Sequence, residues 1–185
     1  MIGNTNTTWG WPAKVLHWLA AILILFLLGH GWWMTHMAPR PDRLAHYAWH
    51  SALGYDLLAL ITLRLLWRWT HTVPALPDGL ATWERWSARA GHFGLYLLMF
   101  ASTLTGWVLA GTFRVPMNQD MFGVTVPQLI AIQDRSVRRT IEESHMILSY
   151  ALGVLVAVHV IGALRHHLVK HNDVLRRMWF GSRSV

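Results

Sequence analysis

Between Lys14 and Arg40 lie 25 residues without Asp, Glu, Lys or Arg, and between Arg89 and Arg114 lie 24 more. A helix needs ~20 apolar residues to cross a hydrocarbon core of about 30 Å. In lipid every backbone N–H and C=O must find its partner within the chain, which leaves helices or closed barrels. The runs are rich in Leu and Ala and lack period-two alternation, so they read as helices. Two further spans are long enough: Leu44–Trp69, interrupted by Asp56 and Arg64, and Ile141–Val169. The expected fold is all-α, an integral membrane four-helix bundle forming one domain over residues 1–185, with helices over about 13–37, 44–69, 86–111 and 141–169. The first run has a charged start like a signal peptide. However, an h-region covers only about 7–15 residues and no small-residue cleavage site follows, so it reads as a retained helix.

Proline and glycine place the connections. Ala38–Arg43, with Pro39 and Pro41, reads as a tight turn, and Thr70–Thr82, with Pro74, Pro77 and Gly79, as a loop. Thr112–Arg139 is the longest connection, and its Leu129–Ile132 stretch is expected to lie as a short interfacial helix. The basic tail from His166 to Val185 is expected to continue the fourth helix before fraying.

Only 14% of the residues are charged and 54% are apolar, where soluble domains run nearer a quarter charged. Twelve tryptophans suit interfacial belts. The absence of cysteine excludes thiolate metal sites, iron–sulfur clusters and disulfides. The net charge of +7 accompanies no nucleic-acid recognition motif; membrane lipid is the expected partner, and nucleic acid is not. Four spans put both termini on one side. That side holds ten basic residues (Lys14, Arg64, Arg68, Arg85, Arg89, Arg165, Lys170, Arg176, Arg177, Arg183) against six on the other (Arg40, Arg43, Arg114, Arg135, Arg138, Arg139). The positive-inside rule then places both termini in the cytoplasm.

Four histidines sit inside these apolar spans: His17, His50, His145 and His159. His145 and His159 are 14 residues apart, close to four helical turns and about 21 Å along the axis. Polar rings in hydrocarbon are costly and are retained for function. Helix direction sets the depths. His17 and His159 fall at the inner level, and His50 and His145 at the outer level. Each pair can offer two imidazole nitrogens to one haem iron, and ligation on both faces suits electron transfer more than oxygen binding. The bland alternative is that each imidazole hydrogen-bonds a neighbouring helix.

Other histidines compete. His92 lies at the inner depth and either replaces His17 or His159 or hydrogen-bonds at the haem edge. His46, one turn before His50, is the outer rival. His30 and His36 are expected at the interface and His71 in solvent. His166, His167 and His171 form either a polar collar or a proton-exchange group for a quinone, with His166 and His167 the candidates at that site. No acid/base pair, nucleophile triad or phosphate loop is present, so no catalytic residue is assigned.

The segments KVLHWLA, YAWHSALGYDLLALITLRLLWR, AGHFGLYLLMFASTLTGW and EESHMILSYALGVLVAVHVIGALRHH together resemble the bacterial cytochrome b561 family, over nearly the whole chain. The resemblance implies a bacterial inner-membrane protein carrying two b-type haems, each held by two histidines, and exchanging electrons with ubiquinone. Some members are assigned as superoxide oxidases, oxidising superoxide on the periplasmic side and passing the electron through the haems to quinone. Related subunits instead anchor periplasmic hydrogenases or dehydrogenases. A haem-free metal transporter using the same histidines is a third reading.

Haem propionates need cationic or hydrogen-bonding partners. Arg64 and Arg68 either bind the inner propionates or snorkel to lipid phosphate. On the outer side Arg40, Arg43, Arg135, Arg138 and Arg139 either hold propionates, form a solvated loop, or steer superoxide by raising its encounter rate. Arg40, Arg43, Arg138 and Arg139 are the steering candidates. Asp56, among apolar residues, is either hydrogen-bonded within the bundle or part of a proton relay.

Overall fold

Local signals set the helix ends. Asp134 accepts hydrogen bonds from the N–H of Ser136 at 2.7 Å and of Val137 at 3.4 Å, so the last long helix starts there instead of near 141. Glu84 accepts from the N–H of Ala81 at 3.1 Å, which starts the third helix ahead of residue 86. The computed structural model describes residues 2–36, 42–77, 79–113, 120–121, 124–128, 132 and 134–180. Its elements are α1 (Trp11–His36), α2 (Arg43–Thr70), α3 (Thr82–Ala110), β1 (Asp120–Met121), β2 (Val124–Thr125), α4 (Arg135–Leu168) and α5 (Val174–Met178). β1 and β2 pair antiparallel, Asp120 with Thr125 and Met121 with Val124. This small hairpin departs from a purely helical expectation. Pro39, Arg40, Pro41 and residues 129–131 of the expected interfacial helix lie outside the described residues.

The four long helices pack in chain order, and α4 closes back on α1. Ala20, Ile24 and Leu27 of α1, Leu57 and Ile61 of α2, Met99 of α3 and Leu152 of α4 form the core at mid-height. Leu152 lies seven residues from both His145 and His159, about 10 Å from each along the axis. Outward, the surface stays apolar: Ile22, Leu25, Phe93, Leu97, Ile147, Val154 and Ile161 are all exposed. Such a girdle requires hydrocarbon around it. Exposed tryptophans mark its two rims, Trp32, Trp33 and Trp49 at one end and Trp11, Trp69, Trp83, Trp86 and Trp179 at the other. Among the described residues α1, α3 and α4 are long and apolar enough to cross a membrane. α2 carries Asp56, Arg64 and Arg68 and lacks such an apolar stretch; its position between α1 and α3 buries Tyr55, Leu57 and Ile61.

The tail corrects the expectation of a continuing helix. α4 stops at Leu168, His171 takes a left-handed φ of 50°, and the chain folds back as α5. Buried donors hold it there. Lys14 Nζ donates to the Trp179 carbonyl at 2.8 Å and Trp18 Nε1 to the Met178 carbonyl at 2.9 Å. Burying the Lys14 ammonium under this carbonyl gives the tail an anchor that helix continuation would forfeit. α5 therefore sits at the end of the bundle that also holds the N-terminus, the termini end; the opposite end is called the far end. Residues 181–185 lie outside the described residues.

The Asp134 cap yields a prediction. Hydrogen bonds from Ser136 and Val137 hold its carboxyl below the usual range. A depressed pKa means the cap is complete above the ordinary carboxylate value and is lost as pH falls through the lower folded value. Asp134→Ala is expected to free the Ser136 and Val137 amides at neutral pH, and acid is expected to do the same in the wild type. Hydrogen exchange of those amides reads both.

Candidate functional site

The far-end site is built from α2 and α4. His50 and His145 face each other with ring centroids 6.3 Å apart and planes at 90°. Small residues let the imidazoles fit. A Cβ on Gly31 would come within 3.2 Å of His50 Cε1, and one on Gly106 within 3.0 Å of His145 Cε1. His145 Nδ1 donates to the Ser102 carbonyl at 2.9 Å. That bond fixes the tautomer and leaves Nε2 free to ligate. A cavity of about 1010 Å³ surrounds the pair and is lined by all four long helices. Its walls include Arg43, Tyr47, Tyr55, Phe113 and Arg138.

The termini-end site repeats the geometry. His17 and His159 have centroids 6.4 Å apart and planes at 75°. His92 lies against His159 at 5.6 Å. Arg64 stands over the Tyr96 ring at 5.6 Å and Arg68 over Trp9 at 6.0 Å. Arg64 and Arg68 share a small cleft with Trp9, Trp67, Tyr96 and Met178.

These separations carry chemical meaning. In an imidazole–metal–imidazole sandwich the bonds are about 2.0 Å and each nitrogen lies about 1.2 Å from its ring centre, so the centroids stand about 6.4 Å apart. Both pairs match this separation, and His92–His159 falls short of it. Two imidazoles are too few for a bare zinc ion, and among the described residues no group of three or more His, Cys, Asp or Glu is placed to hold one. Haem iron asks the protein only for axial ligands. His17 Nδ1 and His50 Nδ1 are buried without partners among the described residues. Donor set and spacing fit b-type haem at both pairs, and the far-end cavity gives it room at His50 and His145.

The remaining candidates divide. Arg43 and Arg138 line the far-end cavity. Arg43 Nη2 donates to Tyr47 at 3.1 Å, and Arg138 stands over Phe113 at 4.4 Å. Arg139 points away, 81% exposed and paired with Glu143 at 2.8 Å; Arg135 is also exposed, and Arg40 lies outside the described residues. His166 Nδ1 accepts from Asn172 at 3.0 Å, while His167 is half-buried nearby. His46 is directed to His30 at 3.4 Å and towards Asp42 at 3.7 Å. His36 bonds the Trp32 carbonyl at 2.7 Å, and His71 stacks on Trp67 at 3.7 Å. Asp56 is half-buried.

Sequence reasoning missed several residues. His30, expected at the interface, stacks on His50 at 5.9 Å. Gly31, Gly106 and Ser102 support the far-end imidazoles. Glu84, 5% exposed, receives Arg165 at 2.9 Å and Lys170 at 3.7 Å at the termini end. The glycines sit at the depth of the outer histidines, which was a usable signal. The others depend on helix rotation.

Residues 8–181 match the family model of prokaryotic cytochrome b561. Cytochrome b561 homolog 2 of Escherichia coli (strain K12) is 31% identical over 179 residues, covering 95% of this chain and 93% of that protein. A protein of Yersinia pestis named "Probable superoxide oxidase CybB" is 24% identical over 166 residues, covering 88% of this chain and 90% of its own length. With a match that runs nearly end to end over a membrane helix bundle, the chain belongs to the prokaryotic cytochrome b561 family, whose members are membrane electron-transfer proteins with b-type haem.

Proposed function

We propose that this protein carries electrons across a bacterial inner membrane between superoxide on the periplasmic side and ubiquinone, a superoxide:quinone oxidoreductase activity. The observation that carries the reading is the pair of matched imidazole separations, 6.3 and 6.4 Å, at the two ends of one bundle. All four long helices cross, both termini are cytoplasmic, and the far end is periplasmic. His50 and His145 hold one haem b and His17 and His159 the other. When bound, haem supplies reversible one-electron chemistry.

The chain's own residues position and exclude. Ser102 orients the His145 ring, and the mid-height layer of Ile24, Leu57, Ile61, Met99 and Leu152 keeps water from between the sites. Arg64 and Arg68 bind haem carboxylates at the cytoplasmic end. Arg43 and Arg138 outnumber the one carboxylate on the far-end walls, Glu142, and the net positive charge raises the local concentration of a small anion. Arg40 and Arg139 extend that field, and His166 and His167 serve the quinone. Two superoxide ions each lose one electron to become dioxygen, while one quinone gains two electrons and two protons to become quinol. The superoxide assignment is supported by likeness to the Yersinia pestis protein and by the cationic mouth.

The test is direct. Purified protein is expected to show low-spin b-type α bands on reduction and about two haems per chain, as four axial histidines require. It is also expected to reduce a ubiquinone analogue when superoxide is generated, without any second protein. Arg43→Gln with Arg138→Gln should slow this several-fold at low salt and less at high salt, because screening removes the same attraction. Haem without superoxide-driven reduction would end the superoxide assignment and leave the cytochrome.

A further inference from the structure

Tyr55 has no role in the reading above. It is 3% exposed, and its hydroxyl is buried without a hydrogen-bond partner among the described residues. It lines the far-end cavity. Three other hydroxyls on those walls are used within the protein: Ser102 and Ser149 meet at 3.0 Å, and Thr103 donates to the Met99 carbonyl at 2.8 Å. The Tyr55 ring is held in place, edge-on to Trp107 at 5.9 Å, and the Trp107 indole N–H is itself taken by the Pro127 carbonyl at 3.0 Å. A stranded buried hydroxyl is costly, and native structures retain one where something else satisfies it. The cavity is rich in donors. Among the described residues Arg43 Nε is also buried and unpartnered, and Arg138 joins it on the wall, which includes the exposed carboxylate of Glu142.

We propose that Tyr55 is the hydrogen-bond donor to an oxygen acceptor of the molecule that fills the far-end cavity. The acceptor is a carboxylate or carbonyl oxygen, and it has two sources: a carboxylate of the haem between His50 and His145, or the carbonyl of a quinone bound beside it at a far-end site separate from the one that His166 and His167 serve. The proposal deepens the electron-transfer reading and rests on it.

Tyr55→Phe keeps the ring and removes only the hydroxyl. Two measurements on the purified, loaded protein separate the sources. Resonance Raman of the haem carboxylate modes, with the reductive midpoint, reads the first; the KM for decylubiquinone reads the second. A shift in the carboxylate modes with unchanged KM identifies the haem. A rise in KM of about five-fold or more, with unchanged kcat and haem spectrum, identifies the quinone. If neither moves while the α bands show a folded protein, the proposal is overturned. If the wild type carries no haem, the reading of the previous subsection fails, and equilibrium binding of decylubiquinone to the wild type and to Tyr55→Phe then decides for or against Tyr55.

Discussion

His50→Ala is expected to bring the purified protein from about two haems per chain to about one, because an iron that depends on two axial imidazoles loses half of its protein ligation. His145→Ala should leave the same residual spectrum and the same single reductive step. His17→Ala and His159→Ala should each leave the other haem. The pairing follows from centroid separations of 6.3 Å for His50–His145 and 6.4 Å for His17–His159. Selectivity follows from the layer between the sites: Leu152 separates His145 from His159 by seven residues on either side, with Leu57, Ile61 and Met99 packed around it. Loss of one haem therefore leaves the second site's walls intact. If the residual spectrum of His50→Ala matched that of His159→Ala, the assignment by depth would be wrong. His92 has its own place in the comparison. At 5.6 Å from His159 it falls short of the separation of two imidazoles on opposite sides of one iron, so His92→Ala should keep both haems. A single haem in that variant, with the spectrum of His159→Ala, would put His92 in the place of His17.

The uncharged runs and the 14-residue interval between His145 and His159 made the helices and the two levels legible from composition and spacing alone. Rise per residue and chain direction fix depth, and depth sufficed to pair the imidazoles. Rotation about each helix axis was not legible. For that reason His30 read as interfacial although it stacks on His50, and Arg139 read as equivalent to Arg138 although one faces an ion-pair partner and the other a cavity. The tail was misjudged for a related reason. The basic residues after His166 are compatible with a longer helix, and distant residues make folding back favourable: Lys14 and Trp18 bind the Trp179 and Met178 carbonyls, and the Ala75 carbonyl accepts from Arg177. α2 was expected as a span from its length but is not among the described helices apolar enough to cross, because Asp56 and Arg64, which its neighbours partly bury, still count against it in sequence.

Gly106→Val is expected to remove the far-end haem as completely as His145→Ala while leaving the helices formed. A Cβ at position 106 would stand 3.0 Å from His145 Cε1 and 3.4 Å from its Nδ1. The ring has little freedom to retreat, since Nδ1 is held by the Ser102 carbonyl at 2.9 Å on the same helix as the glycine. Moving it breaks that bond, turns Nε2 away from His50, and removes the tautomer control on which ligation depends. Valine adds two further carbons at the clash, so it should exceed Gly106→Ala, which shifts the ring by a few tenths of an ångström and should weaken retention only in part. Gly29→Ala in α1 is the matched control, because nothing lies within 4 Å of its added Cβ. It should keep both haems and leave the helix unchanged or firmer by up to about 1 kcal/mol. Haem per chain and the number of reductive steps, measured on the three variants side by side, decide the matter. Two haems retained in Gly106→Val would mean that the His145 ring is placed by something other than its contact with α3.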